Sequence, residues 1–137
     1  MKKEVFIKIS GLHSGEAEDM ELMVKGTYME SGDKVYLSYE ETDSEGVVYK
    51  CRLKLSPDEV IYTKTGMVTT ELHYVLHETY ESVISTPYGQ LDVDIVTERL
   101  EYRDTPGLLL DLCLDYALTI NDDYASECTL NVIAEEI

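Results

Sequence analysis

Apolar residues recur at every second position through most of this chain. From Leu108 to Ile120, Leu108, Leu110, Leu112, Leu114, Tyr116, Leu118 and Ile120 share one face, while Asp111, Cys113, Asp115, Ala117 and Thr119 share the other. A period of two held over thirteen residues predicts a strand, since helical faces repeat at about 3.6 residues. Val47, Tyr49, Cys51, Leu53 and Leu55 alternate in the same way with Val48, Lys50, Arg52, Lys54 and Ser56. Val68, Thr70, Leu72, Tyr74 and Leu76 give a third such run.

Turn-forming residues separate these runs: Ser31-Gly32-Asp33-Lys34, Asp43-Ser44-Glu45-Gly46, Pro57-Asp58-Glu59, Thr65-Gly66, Pro87-Tyr88-Gly89, Thr105-Pro106-Gly107 and Asn121-Asp122-Asp123. Roughly ten strands follow from this punctuation. They lie near 4–10, 20–30, 34–41, 47–56, 59–65, 67–76, 79–86, 90–103, 108–120 and 125–135. Ser14–Met20 reads as an acidic loop. Long strands joined by short turns favour an antiparallel meander, which hides its edges by closing into a barrel, here of about 8–10 strands. The expected fold is therefore all-β, one barrel domain over residues 1–137.

One stretch breaks phase. Leu91, Val93 and Ile95 share a face, whereas Val96, Leu100 and Tyr102 share the opposite one. Because a one-residue slip exchanges the faces, a β-bulge is expected near Val96–Glu98. With a turn at Thr105-Pro106-Gly107, Arg99 is then expected opposite Asp111 on the outer face.

Composition narrows the setting. Hydrophobic residues at 44% and charged residues at 28% are ordinary for a folded domain. A net charge of −17 argues against nucleic acid as a partner, since phosphate binding runs on Lys and Arg. Glu4 and Lys8 interrupt the N-terminal apolar run, and no apolar stretch approaches the roughly 18 residues of a membrane span. Cys51, Cys113 and Cys128 are odd in number and far apart, which suits free thiols. The expectation is a cytoplasmic protein with no membrane contact.

Three stretches together resemble the YwiB-like family, a bacterial domain of unknown function. They are Val35-Tyr36-Leu37-Ser38-Tyr39-Glu40-Glu41 with Gly46 after it, Ile61-Tyr62-Thr63-Lys64-Thr65-Gly66, and Ser85-Thr86-Pro87-Tyr88-Gly89. The resemblance extends from about Ile7 to Ile133 and implies a calycin-type, lipocalin-like barrel with no established activity. Lys64 stands where the family tends to carry Arg, which removes the planar fork that an Arg would offer. With no Trp in the chain, the Gly-x-Trp mark of true lipocalins is absent.

Eleven tyrosines stand against one phenylalanine. Tyr39, Tyr49, Tyr62, Tyr74 and Tyr116 all fall on inward-reading faces, and a buried phenol needs a partner for its hydroxyl. A lumen that binds a small molecule and a packed core whose hydroxyls reach the barrel ends both fit this pattern. Lys64 follows the inward phase of Val60 and Tyr62; it either holds an acidic ligand or packs its stem while its head reaches water. Tyr39, Tyr62, Lys64, Tyr74 and Tyr88 are the candidate ligand-binding residues at the lumen or its mouth.

Other constellations carry less. His73 and His77 sit about 13 Å apart along a strand, too far to share one ion. With His13 remote from both, no metal or cofactor site is expected. Asp92, Asp94, Asp111 and Asp115 alternate with apolar residues and read as solvated. Lys50, Arg52 and Lys54 form a basic stripe, for which carboxylates on neighbouring strands are the expected answer. Nucleophile-elbow, phosphate-loop, dinucleotide and zinc-protease motifs are missing.

Three readings of function result. One is a barrel holding a small, partly apolar or acidic molecule inside. The second is an interaction or regulatory module with a filled core, working through its surface or through self-association. The third, an enzyme in the cavity, has only Lys64 to name.

Overall fold

In the computed structural model the expected strands form, most within two residues of their predicted ends. They are β1 (Lys2–Leu12), β2 (Met20–Ser31), β3 (Lys34–Thr42), β4 (Val48–Leu55), β5 (Glu59–Thr65), β6 (Thr69–Val75), β7 (Thr79–Thr86), β8 (Gly89–Tyr102), β9 (Leu110–Ile120) and β10 (Asp123–Glu136). The structure describes residues 2–12, 20–42, 44–66, 69–86, 89–121 and 123–137. His13 and the acidic loop up to Met20 lie outside the described residues, as do Val68, Pro87, Tyr88 and Asp122. No described helix is long and apolar enough to cross a membrane.

All ten strands belong to one antiparallel sheet in the order β6-β5-β4-β3-β2-β1-β10-β9-β8-β7. Nine ladders join them, and β1 closes on β10 with Val5 opposite Glu136 and Ser10 opposite Asn131. Only the edges β6 and β7 share no ladder, so the barrel is nearly closed. Its seam is held otherwise. Leu76 makes a single bridge to Thr97, the His77 amide donates to the Thr97 carbonyl at 2.9 Å, and His73 stacks on Tyr80 at 4.0 Å.

Period-two alternation turns one face of each strand inward, and the inward residues form the buried core of the barrel. Tyr62, Tyr74, Tyr116, Ile7, Ile9, Leu37, Leu53, Leu72, Ile95, Leu112 and Leu114 are fully buried and belong to one apolar cluster. Each such side chain contributes about 1.5–3 kcal/mol of burial.

The phase conflict in β8 is a bulge, as expected: the register shifts between Thr97 and Arg99. Val93, Ile95 and Thr97 lie opposite Ile120, Leu118 and Tyr116, and after the bulge Leu100 lies opposite Leu114. The partner of Arg99 differs from expectation. Arg99 faces Asp115, not Asp111, with Nε donating to Oδ2 at 2.8 Å. The physical reason is that β9 starts late. Leu108 and Leu109 belong to the connection, where the Leu109 amide donates to the Ala134 carbonyl, and the Thr105 hydroxyl donates to Asp111.

A second irregularity lies in β1, where the register slips between Ser10 and Leu12. Gly11 sits there at φ +82°, and a Cβ would fall 1.9 Å from the Thr129 carbonyl oxygen. Only glycine fits. The carbonyl of Gly11 accepts the Tyr116 hydroxyl at 2.8 Å, so the bulge also satisfies a buried phenol.

Candidate functional site

Strand direction sends the connections 12–20, 42–48, 65–69, 86–89 and 120–123 to one end of the barrel. The three stretches that carried the family resemblance run to this same end. Thr86 pairs with Gly89 at this end; Tyr88 lies outside the described residues. The opposite end holds the turns after β2 and β4.

Inside this mouth, β3 to β6 stack their inward residues in rows. Tyr39, Cys51, Lys64 and Thr70 form one row by register, with Leu37, Leu53, Tyr62 and Leu72 beneath it and Glu41 and Tyr49 above it. The Lys64 ammonium lies 3.0 Å from the Glu41 carboxylate, with the two side chains only 22% and 17% exposed. It also lies 4.7 Å from the centroid of the Tyr49 ring. Gly66 permits this lid of aromatic surface, because a Cβ there would fall 2.4 Å from Cδ1 of Tyr49.

Beneath the ion pair the surroundings turn dry. The Tyr62 hydroxyl points at the Cys51 sulfur at 3.9 Å, a weak contact. The Tyr39 hydroxyl is buried in the same group and meets no hydrogen-bond partner at bonding geometry among the described residues. Burial first, then the neighbouring acidic groups, pushes the Tyr39 and Tyr62 phenols far above the usual tyrosine range. Burial and the Glu41 charge likewise push the Cys51 thiol up, away from the nucleophilic thiolate.

Of the five sequence-derived candidates, Tyr39, Tyr62 and Lys64 thus come together. Tyr74 is elsewhere, edge-on to Tyr116 at 5.0 Å, fully buried and raised in pKa by desolvation. The residue that sequence reading missed is Glu41. Its signal was present, for Glu41 shares the inward phase of Leu37 and Tyr39 one strand from the Cys51–Lys64 row.

The outer face holds a second feature. Phe6, Met23 and Met29 are exposed on β1 and β2. The Lys25 ammonium lies 5.6 Å from the Phe6 ring centroid and the Arg52 guanidinium 4.9 Å from that of Tyr36. A depression of ≈ 380 Å³ here is lined by Lys2, Thr27, Met29, Ser31, Tyr36, Ser38 and Arg52. The expected neutralisation of the basic stripe by neighbouring strands does not hold for Arg52, whose partners across the ladders are Ser38 and Thr63. Only Lys50 has a carboxylate opposite, Glu40. Lys54 likewise has no carboxylate opposite, its ladder partners being Tyr36 and Ile61.

Among the described residues no group of three His, Cys, Asp or Glu side chains could hold a metal ion. None of the three cysteines is in a disulfide; Cys51 and Cys113 are buried and Cys128 is half-buried.

The family described as "Domain of unknown function (DUF1934)" matches residues 7–132. This chain belongs to that family. The crystal structure of the ywiB protein from Bacillus subtilis superposes with a TM-score of 0.69 at 20% identity, covering 99% of this chain and 92% of that one. At that identity the likeness fixes the DUF1934 barrel and nothing further. A comparison with curated proteins finds no match.

Proposed function

We propose that this barrel is a non-catalytic binding module of the cytoplasm that works through its outer surface and does not enclose a ligand. The burial of Tyr62, Tyr74 and Tyr116 in one apolar cluster with the aliphatic side chains supports this reading. A small acidic molecule at the mouth would also need a free cation, and Lys64 spends its charge on Glu41. Among the described residues of the mouth, burial and the Glu41 charge push the Cys51 thiol up, away from the nucleophilic thiolate, which favours a non-catalytic reading. That no disulfide joins Cys51, Cys113 and Cys128 suits a reducing compartment.

Native mass spectrometry of protein purified gently from a bacterial cytoplasm tests this reading. The expected mass is that of the bare 15.6 kDa chain. A reproducible adduct that survives native ionisation and leaves on denaturation would return the function to the interior.

A further inference from the structure

The outer face of β1 to β4 is charged against the grain of the molecule. The chain carries 28 Asp and Glu against 11 Lys and Arg, yet no carboxylate lines the ≈ 380 Å³ depression, which contains Lys2 and Arg52. Lys25 and Lys50 lie on the same face, and among the described residues none of these four cations is ion-paired. Hydroxyls of Thr27, Ser31 and Ser38 line the depression beside the apolar surface of Met29.

We propose that this face docks an acidic polypeptide segment with interspersed apolar residues. This rests on the surface reading above and names the partner's chemistry. Unpaired cations beside hydroxyl donors fit carboxylates, and exposed Phe6 and Met29, 47% and 42% accessible, fit apolar side chains between them. Nucleic acid fits less well. The Tyr36 ring beside the depression already carries Arg52 over it at 4.9 Å, so its face is not open for base stacking. A net charge of −17 also repels a long polyanion. A second copy docked about a two-fold axis through this face would set cation against cation.

The test is fluorescence anisotropy with a short fluorescein-labelled peptide of Glu, Asp and Leu, run beside labelled oligothymidine and free inorganic phosphate as competitor. Arg52→Glu is compared with Arg103→Glu, which changes the net charge equally on another part of the molecule; Arg52 and Arg103 are both exposed, and circular dichroism checks their folds. The proposal expects saturable peptide binding, weakened about tenfold by Arg52→Glu and no more than about twofold by Arg103→Glu. Equal weakening by both variants reduces the effect to global charge and overturns the proposal, as does absence of peptide binding. Oligothymidine binding that exceeds peptide binding and depends on Arg52 overturns the peptide assignment while leaving the surface reading in place. Displacement of the peptide by inorganic phosphate at equal concentration also overturns it, since the depression would then be an anion site. The mass measurement decides the surface reading independently.

Discussion

Removing either charge of the Lys64–Glu41 pair tests how the barrel mouth is held. At 3.0 Å two unit charges attract by about 5 kcal/mol in an effective dielectric near 20. Desolvation of two mostly buried groups returns most of that energy, leaving a net coupling on the order of 1–2 kcal/mol, between exposed and fully buried pairs. The two single losses differ. Lys64→Met leaves the Glu41 carboxylate without its cation beside Cys51, at a cost of about 2 kcal/mol. Glu41→Gln leaves an ammonium that keeps the Tyr49 ring, worth about 0.5–1 kcal/mol, so this loss is nearer 1 kcal/mol. Urea unfolding of the wild type, both single variants and Lys64→Met/Glu41→Gln closes a double-mutant cycle. The expected coupling changes little between low and high sodium chloride, because screening acts chiefly on exposed charges. Strict additivity, or a coupling that vanishes with salt, would refute the picture of a half-buried pair beneath Tyr49.

The edge-to-face tyrosines Tyr74 and Tyr116 should respond with opposite signs. Tyr116→Phe leaves the Gly11 carbonyl without its donor and should cost about 1–2 kcal/mol, whereas Tyr74→Phe removes a buried hydroxyl with no partner among the described residues and should be neutral or stabilising by about 1 kcal/mol; equal losses in thermal unfolding would contradict this. Gly11→Ala combines a positive φ with a Cβ 1.9 Å from a backbone oxygen and should cost about 3 kcal/mol or more, visible as a large drop in the urea midpoint without a change in slope. In alkali, the raised phenols make the folded state lose stability. Tyr28 is pushed up to about 12 by burial and its hydrogen bond to Glu30. Its contribution is whole below the unfolded value near 10 and falls as pH rises through 12. Tyr39, Tyr62 and Tyr116 are raised further, so their tyrosinate absorbance should appear only together with unfolding; smooth titration of all eleven tyrosines near pH 10 in a folded protein would contradict the buried assignments.

Strand positions were legible because the code for them is local. Alternation in Leu110–Ile120 and the phase break before Leu100 each need only neighbouring residues, and both structure and register agree with them. The Arg99 partner was not legible, because Leu108 and Leu109 prolong the alternation into a connection. β9 begins only at Leu110, where the Leu109 amide donates to the Ala134 carbonyl of the adjacent β10, a strand remote in sequence. Cys113 likewise sits on the polar phase of β9 yet is 3% exposed. Arg99, reaching across from β8, covers it with a guanidinium nitrogen 3.3 Å from the sulfur. For the mouth, the tyrosines and Lys64 showed their inward phase in sequence, but the choice of Glu41 as counter-charge depends on which strand lies beside which. The fate of Arg52 depended on the same information, since Ser38 and Thr63 are its neighbours only once β3, β4 and β5 are paired.

The seam between β6 and β7 also bears on how the barrel is assembled. Eight of the nine ladders join strands that follow each other along the chain, in two separate runs, β1 to β6 and β7 to β10. Each run can form by local hairpin closure, which is fast because little chain entropy is lost. The remaining ladder, β1 with β10, joins the two ends of the polypeptide and must wait for both runs. The Ile137 amide donates to the Glu4 carbonyl, so the two termini meet. A circularly permuted chain, with its termini joined and opened at His77–Glu78, would place every paired strand next to its partner in sequence. Such a chain would keep the same ladders with the slowest closure removed, and its refolding rate should exceed that of the natural order.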